Sequence, residues 1–262
     1  MHNLRTYGNA PFNLAVIHGG PGAPGEMAPV ARALSLNGGV LEPLQTANSV
    51  DGQVLELNNV LEKHGNLPLI LIGFSWGAWL SYVLTARYPS LIKKLILIGS
   101  GPFAEKYTNK IMEIRLNHLN NDERKEALSL LAALDSGRIK DDGFARFGEL
   151  MGKADSYDPL PHDSEVMLCS PDIYQQIWGQ AGKMRSSGEL LQLGKRIKCP
   201  VVAIHGDYDP HPAVGVQEPL SRVLKNFRFI LLENCGHHPW LERQAKQNFY
   251  DTLRTEISVV ED

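Results

Sequence analysis

Five short apolar runs constrain the fold of this chain more than any other feature. They are NLAVIH (13–18), PLILIG (68–73), KLILIG (94–99), PVVAIHG (200–206) and FRFILLE (227–233). Each is a continuous block rather than an alternation of apolar and polar residues. A strand with one wet face alternates, whereas a strand covered on both faces does not, so these runs predict parallel strands with helices on either side. A weaker strand, GVLEPLQ, falls near Val40. Helical patterns lie between the runs: 26–37, 51–64 with Val54, Leu57 and Leu61 at helical spacing and Asp51 as its cap, 76–88 ended by Pro89, and 244–257. Alternating strand and helix defines an α/β fold, a doubly wound and mainly parallel sheet of about six strands.

The alternation stops between about Pro102 and Arg196. That stretch offers no strand pattern, only helical segments. Asn120 with Glu123 reads as a capping box opening a helix that carries Leu128, Leu131 and Leu134, and further helices are expected over 143–153 and 171–180. The reading is a sheet core from 1–101 and 197–262, with a helical cap inserted at 102–196.

Composition narrows the function. Hydrophobic residues make up 43% and charged residues 21%, enough apolar mass for a real core. A net charge of −3 without a lysine or arginine run argues against attraction to nucleic acid or an anionic membrane. The N-terminus lacks a signal-peptide pattern, and no apolar run approaches the roughly 20 residues of a membrane span. Cys169, Cys199 and Cys235 have no metal-ligand spacing and read as reduced core thiols, so a cytoplasmic location is expected. Oligomeric state is not encoded in any pattern found.

The chemistry gathers at the ends of the runs. GFSWG (73–77) places Ser75 between a buried strand and a helix, where flanking glycines permit a sharp turn and the helix N-terminus contributes partial positive charge. A serine hydroxyl needs a base to become a nucleophile, and the base needs an orienting carboxylate. HGDYD (205–209) follows the fourth run with Asp207 and Asp209; NCGHHPWLE (234–242) follows the fifth with His237 and His238. The order along the chain is Ser, Asp, His. His205, Asp207, Asp209 and His211 also crowd together, but their spacing matches no metal-ligand motif.

With HGGPG (18–22), GFSWG, HGDYD and GHHPWLE in this order, the chain resembles the α/β-hydrolase superfamily. Its HGGPG loop and the tryptophan after the serine are most similar to the proline iminopeptidase-like branch. The resemblance implies Ser75 as nucleophile. It implies Asp209, three residues after Gly206, as the acid rather than Asp207, which is left to stabilise the turn. It implies His237, directly after Gly236, as the base rather than His238. It also implies an oxyanion hole from the backbone N–H groups of Gly20 and Trp76. His18 has two available roles, a substrate contact or a hydrogen-bonded strut for the loop. Phe103 and Trp178, with Tyr174, Met167 and Met184, are candidates for an apolar substrate wall or for plain packing. In the iminopeptidase branch acidic cap residues hold a free amino terminus; here Glu149, Glu165 and Glu189 are available, but Phe74 stands where that branch commonly has glycine. A reduced N-terminal part is expected, with little room for a hairpin before the first run.

The expected activity is cleavage of a small ester or amide through an acyl-enzyme, with a small-molecule substrate and no cofactor or metal. The competing readings are a proline iminopeptidase-type aminopeptidase, a carbon–carbon bond hydrolase, and a non-catalytic ligand-binding protein on the same fold.

Overall fold

The computed structural model describes residues 3–21, 23–162, 166 and 171–259. Seven strands form one sheet: β1 (Leu4–Tyr7), β2 (Phe12–Ile17), β3 (Gly39–Pro43), β4 (Leu69–Phe74), β5 (Ile92–Ile98), β6 (Val201–Gly206) and β7 (Phe227–Leu232). Their spatial order is β1-β3-β2-β4-β5-β6-β7. The six strands from β2 to β7 run parallel, and β1 pairs antiparallel with β3.

The continuous apolar runs have the expected cause. Ala15, Leu71, Leu97 and Ala203 face one core, and Val16, Ile72, Ile98 and Ile204 face the other. Of the helices between strands, α1 (Ala28–Leu34) packs on the second face together with α10 (Lys246–Ser258). On the first face lie α2 (Val50–His64), α3 (Trp76–Arg87) and α9 (Val214–Val223). Every residue of α3 except Arg87 is buried, so this helix lacks a polar stripe.

The β5–β6 connection is helical: α4 (Ile111–His118), α5 (Asn121–Asp135), α6 (Asp141–Ala154), α7 (Pro171–Ser186) and α8 (Glu189–Gln192). It divides in two. Helices α4 to α6 enclose a small core of their own, with Leu116, Leu134, Phe144, Phe147 and Leu150. Helix α7 instead lies on the sheet domain's core, with Ile177 and Ala181 buried there. The Asn120–Glu123 capping box forms as expected. Met167, Glu165 and Cys169 lie outside the described residues, as does Gly22.

Several details differ from the sequence reading. An antiparallel strand, β1, does precede the first parallel one; at four residues and half-exposed, it carries no apolar block to announce it. Helix α2 is capped by Ser49, whose extended backbone lets its hydroxyl accept from the Gly52 N–H, while Asp51 pairs with Arg87 at 2.7 Å. Leu128 is exposed, so the buried face of α5 runs through Ala127 and Leu134. Among the described residues no helix is long and apolar enough to cross a membrane.

Candidate active site

All six parallel strands end at the same edge of the sheet, where the order of strands reverses about β2 and β4 and ligands of such folds bind. Ser75 is the junction of β4 and α3. Its φ of 52° and ψ of −115° are strained for a residue with a side chain, a conformation that persists only where the surroundings enforce it. Packing is that enforcement. A methyl group at Gly73 would strike the Gly77 carbonyl, and one at Gly77 would strike the carbonyls of Ile17 and His18. The Ser75 N–H is tied to the Ile98 carbonyl at 2.9 Å.

The strand ends bring three side chains together. Ser75 Oγ donates to His237 Nε2 across 3.0 Å, and His237 Nδ1 donates to Asp209 Oδ2 across 2.7 Å. Asp209 and His237 are buried, and Phe74 packs its ring 4.8 Å from that of His237. Gly99 has a φ of +51°, and a side chain there would crowd the His237 ring, so the turn after β5 leaves the imidazole its place.

Electrostatics set the proton affinities of Asp209 and His237 in opposite directions. Burial works to raise the Asp209 carboxyl, but His237, His211 and His205 outweigh it and hold Asp209 well below the usual carboxylate range. Burial also works to lower His237, but the Asp209 charge more than offsets it, so His237 lies above the ordinary histidine value. His211 shares the same carboxylate, yet burial dominates there and pushes it down.

The loop after β2 lies beside the elbow. Ile17 is in register with Gly73 in neighbouring parallel strands, so Gly20 and Trp76 each follow their register partner by three positions. His18 is buried with both ring nitrogens engaged: Nδ1 donates to the Gly19 carbonyl at 2.9 Å, and Nε2 accepts the Gln45 N–H at 3.3 Å. Glu26 takes the Gly19 N–H at 2.9 Å and meets His238 Nε2 at 3.1 Å. His238 thus joins the loop after β7 to the loop after β2. Asp207 accepts the Cys235 N–H at 3.1 Å, a turn contact.

Phe103 is fully buried between Trp79 and Tyr82, away from any open surface. Trp178 is half-buried on α7 and meets the rings of Trp76 and Trp79 at 6.0 and 5.7 Å. Tyr174 packs between Trp178 and Phe144, and Met184 lies against the sheet core. Glu149 pairs with Arg146 on the surface, and Glu189 is exposed.

Two groups around the site carry no role in the sequence reading. Arg115 on α4 grips Asp155 with two bonds of 2.6 Å, and the Asp155 carbonyl accepts the His237 N–H at 2.8 Å. Glu242 is buried and accepts N–H groups from Gly236, Tyr157 and Asp158 at 3.0, 2.8 and 2.7 Å. The segment after α6 is thereby fastened to the His237 loop. Arg115 and Asp155 stand 40 positions apart with no motif between them; Glu242 was visible within GHHPWLE, but nothing local names its partners.

Asp209, His211 and His237 also form the one cluster of possible metal-ligating atoms among the described residues. The fit is poor. Their nitrogens approach the carboxylate at 2.7 and 2.8 Å, whereas ligands bound about 2.0–2.1 Å from a tetrahedral zinc would stand roughly 3.3 Å apart. The spacing is that of hydrogen bonds.

The chain belongs to the α/β-hydrolase fold family, whose sequence profile matches residues 43–244. Among curated relatives it is 28% identical over 207 residues to the Bos taurus protein named monoacylglycerol lipase ABHD6, covering 76% of this chain but only 58% of that protein's length. It is 22% identical to the proline iminopeptidase of Saccharolobus solfataricus, covering 89% of this chain and 81% of that one. Among solved structures, VinJ superposes with a TM-score of 0.71 at 17% identity, over 98% of this chain and 95% of the other, a likeness of fold. The chain thus has the α/β-hydrolase fold and is similar to proteins named as a lipase and a peptidase.

Proposed function

We propose that this protein is a serine hydrolase that cleaves a small carboxylic ester through an acyl-enzyme. The observation that carries the proposal is the unbroken hydrogen-bond chain from Ser75 through His237 to Asp209. Ser75 Oγ attacks the carbonyl carbon as His237 Nε2 takes its proton, while Asp209 holds the imidazole with Nδ1 protonated and stabilises the imidazolium. The N–H groups of Gly20 and Trp76 receive the developing oxyanion, a donor pair worth about 10²–10³ in rate for each member. His237 then passes its proton to the leaving oxygen. Water, deprotonated by the same base, attacks the acyl carbon and frees Ser75. The scheme uses only side chains, backbone amides and water.

Residues 102–196 act as a cap in this reading, with 1–101 and 197–262 as the catalytic core. The cap favours an apolar acyl group over a free amino terminus. Its Trp178 packs edge-on against Trp76, the residue after Ser75, with Tyr174 in turn against Trp178. Among the described residues of the cap, Asp155 is buried and paired with Arg115, Glu149 is paired with Arg146, and Glu189 is exposed. The likeness to a protein named monoacylglycerol lipase supports the same choice.

Turnover of p-nitrophenyl butyrate, a monoacylglycerol and L-proline p-nitroanilide, measured on the native protein and on Ser75→Ala, tests this. Ester turnover that falls at least about 10³-fold in the variant is expected. Faster cleavage of the anilide would make the protein an aminopeptidase, and ester turnover undiminished in Ser75→Ala would end the scheme.

A further inference from the structure

The acid of the proposed triad is shared between two imidazoles. Asp209 Oδ2 takes the Nδ1–H of His237 at 2.7 Å. Asp209 Oδ1 takes two donors from a single residue, the backbone N–H of His211 at 2.9 Å and its ring Nδ1–H at 2.8 Å. The rings of His211 and His237 stand 4.7 Å apart, tilted by 36°. His205 completes the arrangement from below: its Nε2 donates to the His211 carbonyl at 2.7 Å and lies 3.6 Å from Oδ2, too far to compete with His237 for it. The sequence around His211 is Asp-Pro-His-Pro, and proline has no N–H. Of residues 210–212, His211 alone can offer an amide to the carboxylate.

We propose that His211 is a positioning residue for the hydrolysis: by holding Oδ1 with a neutral ring donor, it keeps Oδ2 aimed at His237 and moderates the charge that His237 meets. The proposal rests on the triad reading above and goes beyond it. A carboxylate turns about a single bond, and one backbone N–H leaves that turn loosely held; the ring N–H adds a second donor on the same oxygen. The ring must be neutral to serve, because an imidazolium there would stand beside His237 when His237 itself becomes charged. Its surroundings favour the neutral form. His211 is only 13% exposed, faces the Arg115 guanidinium and the His237 ring as well as the Asp209 and Asp155 carboxylates, and burial lowers its proton affinity. The ring that meets Ser75 Oγ is that of His237, at 3.0 Å, so His211 acts on the reaction through Asp209.

The test compares His211→Ala, His211→Asn and His211→Gln with the native protein, using p-nitrophenyl butyrate across the pH range. The asparagine amide can place an N–H near the position of the histidine Nδ1, whereas glutamine reaches one methylene too far. His211→Ala and His211→Gln are expected to lose about 10- to 100-fold in kcat, with KM within about twofold, the scale of one charge-assisted hydrogen bond. Their acid-limb midpoint should move to higher pH, because a carboxylate stripped of a donor stabilises the His237 imidazolium more. His211→Asn should recover most of kcat and the native midpoint. Should His211→Ala fail to fold, the asparagine–glutamine contrast carries the test. An unchanged kcat and midpoint in the alanine or glutamine variant would overturn the proposal. So would an asparagine variant as impaired as alanine, or a loss confined to KM, which would mark a substrate contact. Fluorophosphonate labelling of the native protein separates this failure from the other: an unlabelled native protein defeats the triad reading itself, whereas a labelled one with insensitive His211 variants defeats only the role of His211.

Discussion

Removing the Glu242 carboxylate should damage stability and reactivity together. Glu242 is 1% exposed and holds three N–H groups, one on the His237 loop and two on the segment after α6. Each buried donor left unmade costs about 1–3 kcal/mol, which sums to roughly 3–9 kcal/mol in Glu242→Ala. The lower end is the better figure. Tyr157 is exposed, so its amide can find water once the segment relaxes, whereas the Gly236 amide is buried beneath it. A loss of about 3 kcal/mol corresponds to a fall in Tm of roughly 6–12 °C for a chain of this size. Glu242→Gln should lose less, about 1–2 kcal/mol, because its one carbonyl oxygen can keep two of the three donors while its NH₂ opposes the third. Thermal and urea unfolding measure the loss. Because Gly236 precedes His237, the rate of fluorophosphonate labelling should fall about tenfold in the alanine variant, equivalent to roughly 1.4 kcal/mol of lost alignment. A Tm within about 2 °C of the native value with unchanged labelling would show that the fastening between the two segments contributes nothing, and would refute the reasoning.

Other consequences are open to measurement. Gly77→Ala forces a methyl group against the Ile17 and His18 carbonyls and should destabilise the protein by about 1–3 kcal/mol or more, read from urea unfolding; an unaffected midpoint would mean that the elbow is not held by this packing. The base must be neutral to accept the Ser75 proton, and Asp209 raises the proton affinity of His237, so kcat/KM should rise with pH through a midpoint above the ordinary histidine value and be lost below it; a midpoint below that value would contradict the assigned pairing. Asn120→Ala removes the capping box of α5 and should cost about 1 kcal/mol with no change in esterase activity, since α5 packs within the core it shares with α4 and α6.

How far the sequence could be read follows the same physics. Strands β2, β4, β5 and β6 were legible because residues of opposite parity enter two different cores, which leaves an unbroken apolar run in each. Glu42 interrupts β3 and made it the weaker signal. Strand β1 was not legible, because a half-exposed edge strand of four residues carries too little pattern. Helix α4 was hidden for a similar reason, with Leu116 its single buried residue, and α9 carries an internal Pro219 that masks its periodicity. In α2, Asp51 and Ser49 are both good capping residues, and only the backbone angles distinguish them. At the site, Ser75, Asp209 and His237 were legible because each follows a strand end at a motif spacing. The supporting contacts were not. Arg115 with Asp155, and Glu242 with Tyr157 and Asp158, join distant segments, so their pairing depends on how α4 and α6 pack rather than on any local pattern. Phe103 and His18 show the opposite case, since residue type alone cannot separate a pocket wall from a core or a strut.

The central claim is that Ser75 is an activated nucleophile, and intact-mass analysis after fluorophosphonate treatment tests it most directly. The account predicts a single adduct on the native protein and none on Ser75→Ala. A folded native protein that takes no adduct, or an adduct that survives in Ser75→Ala, would contradict it.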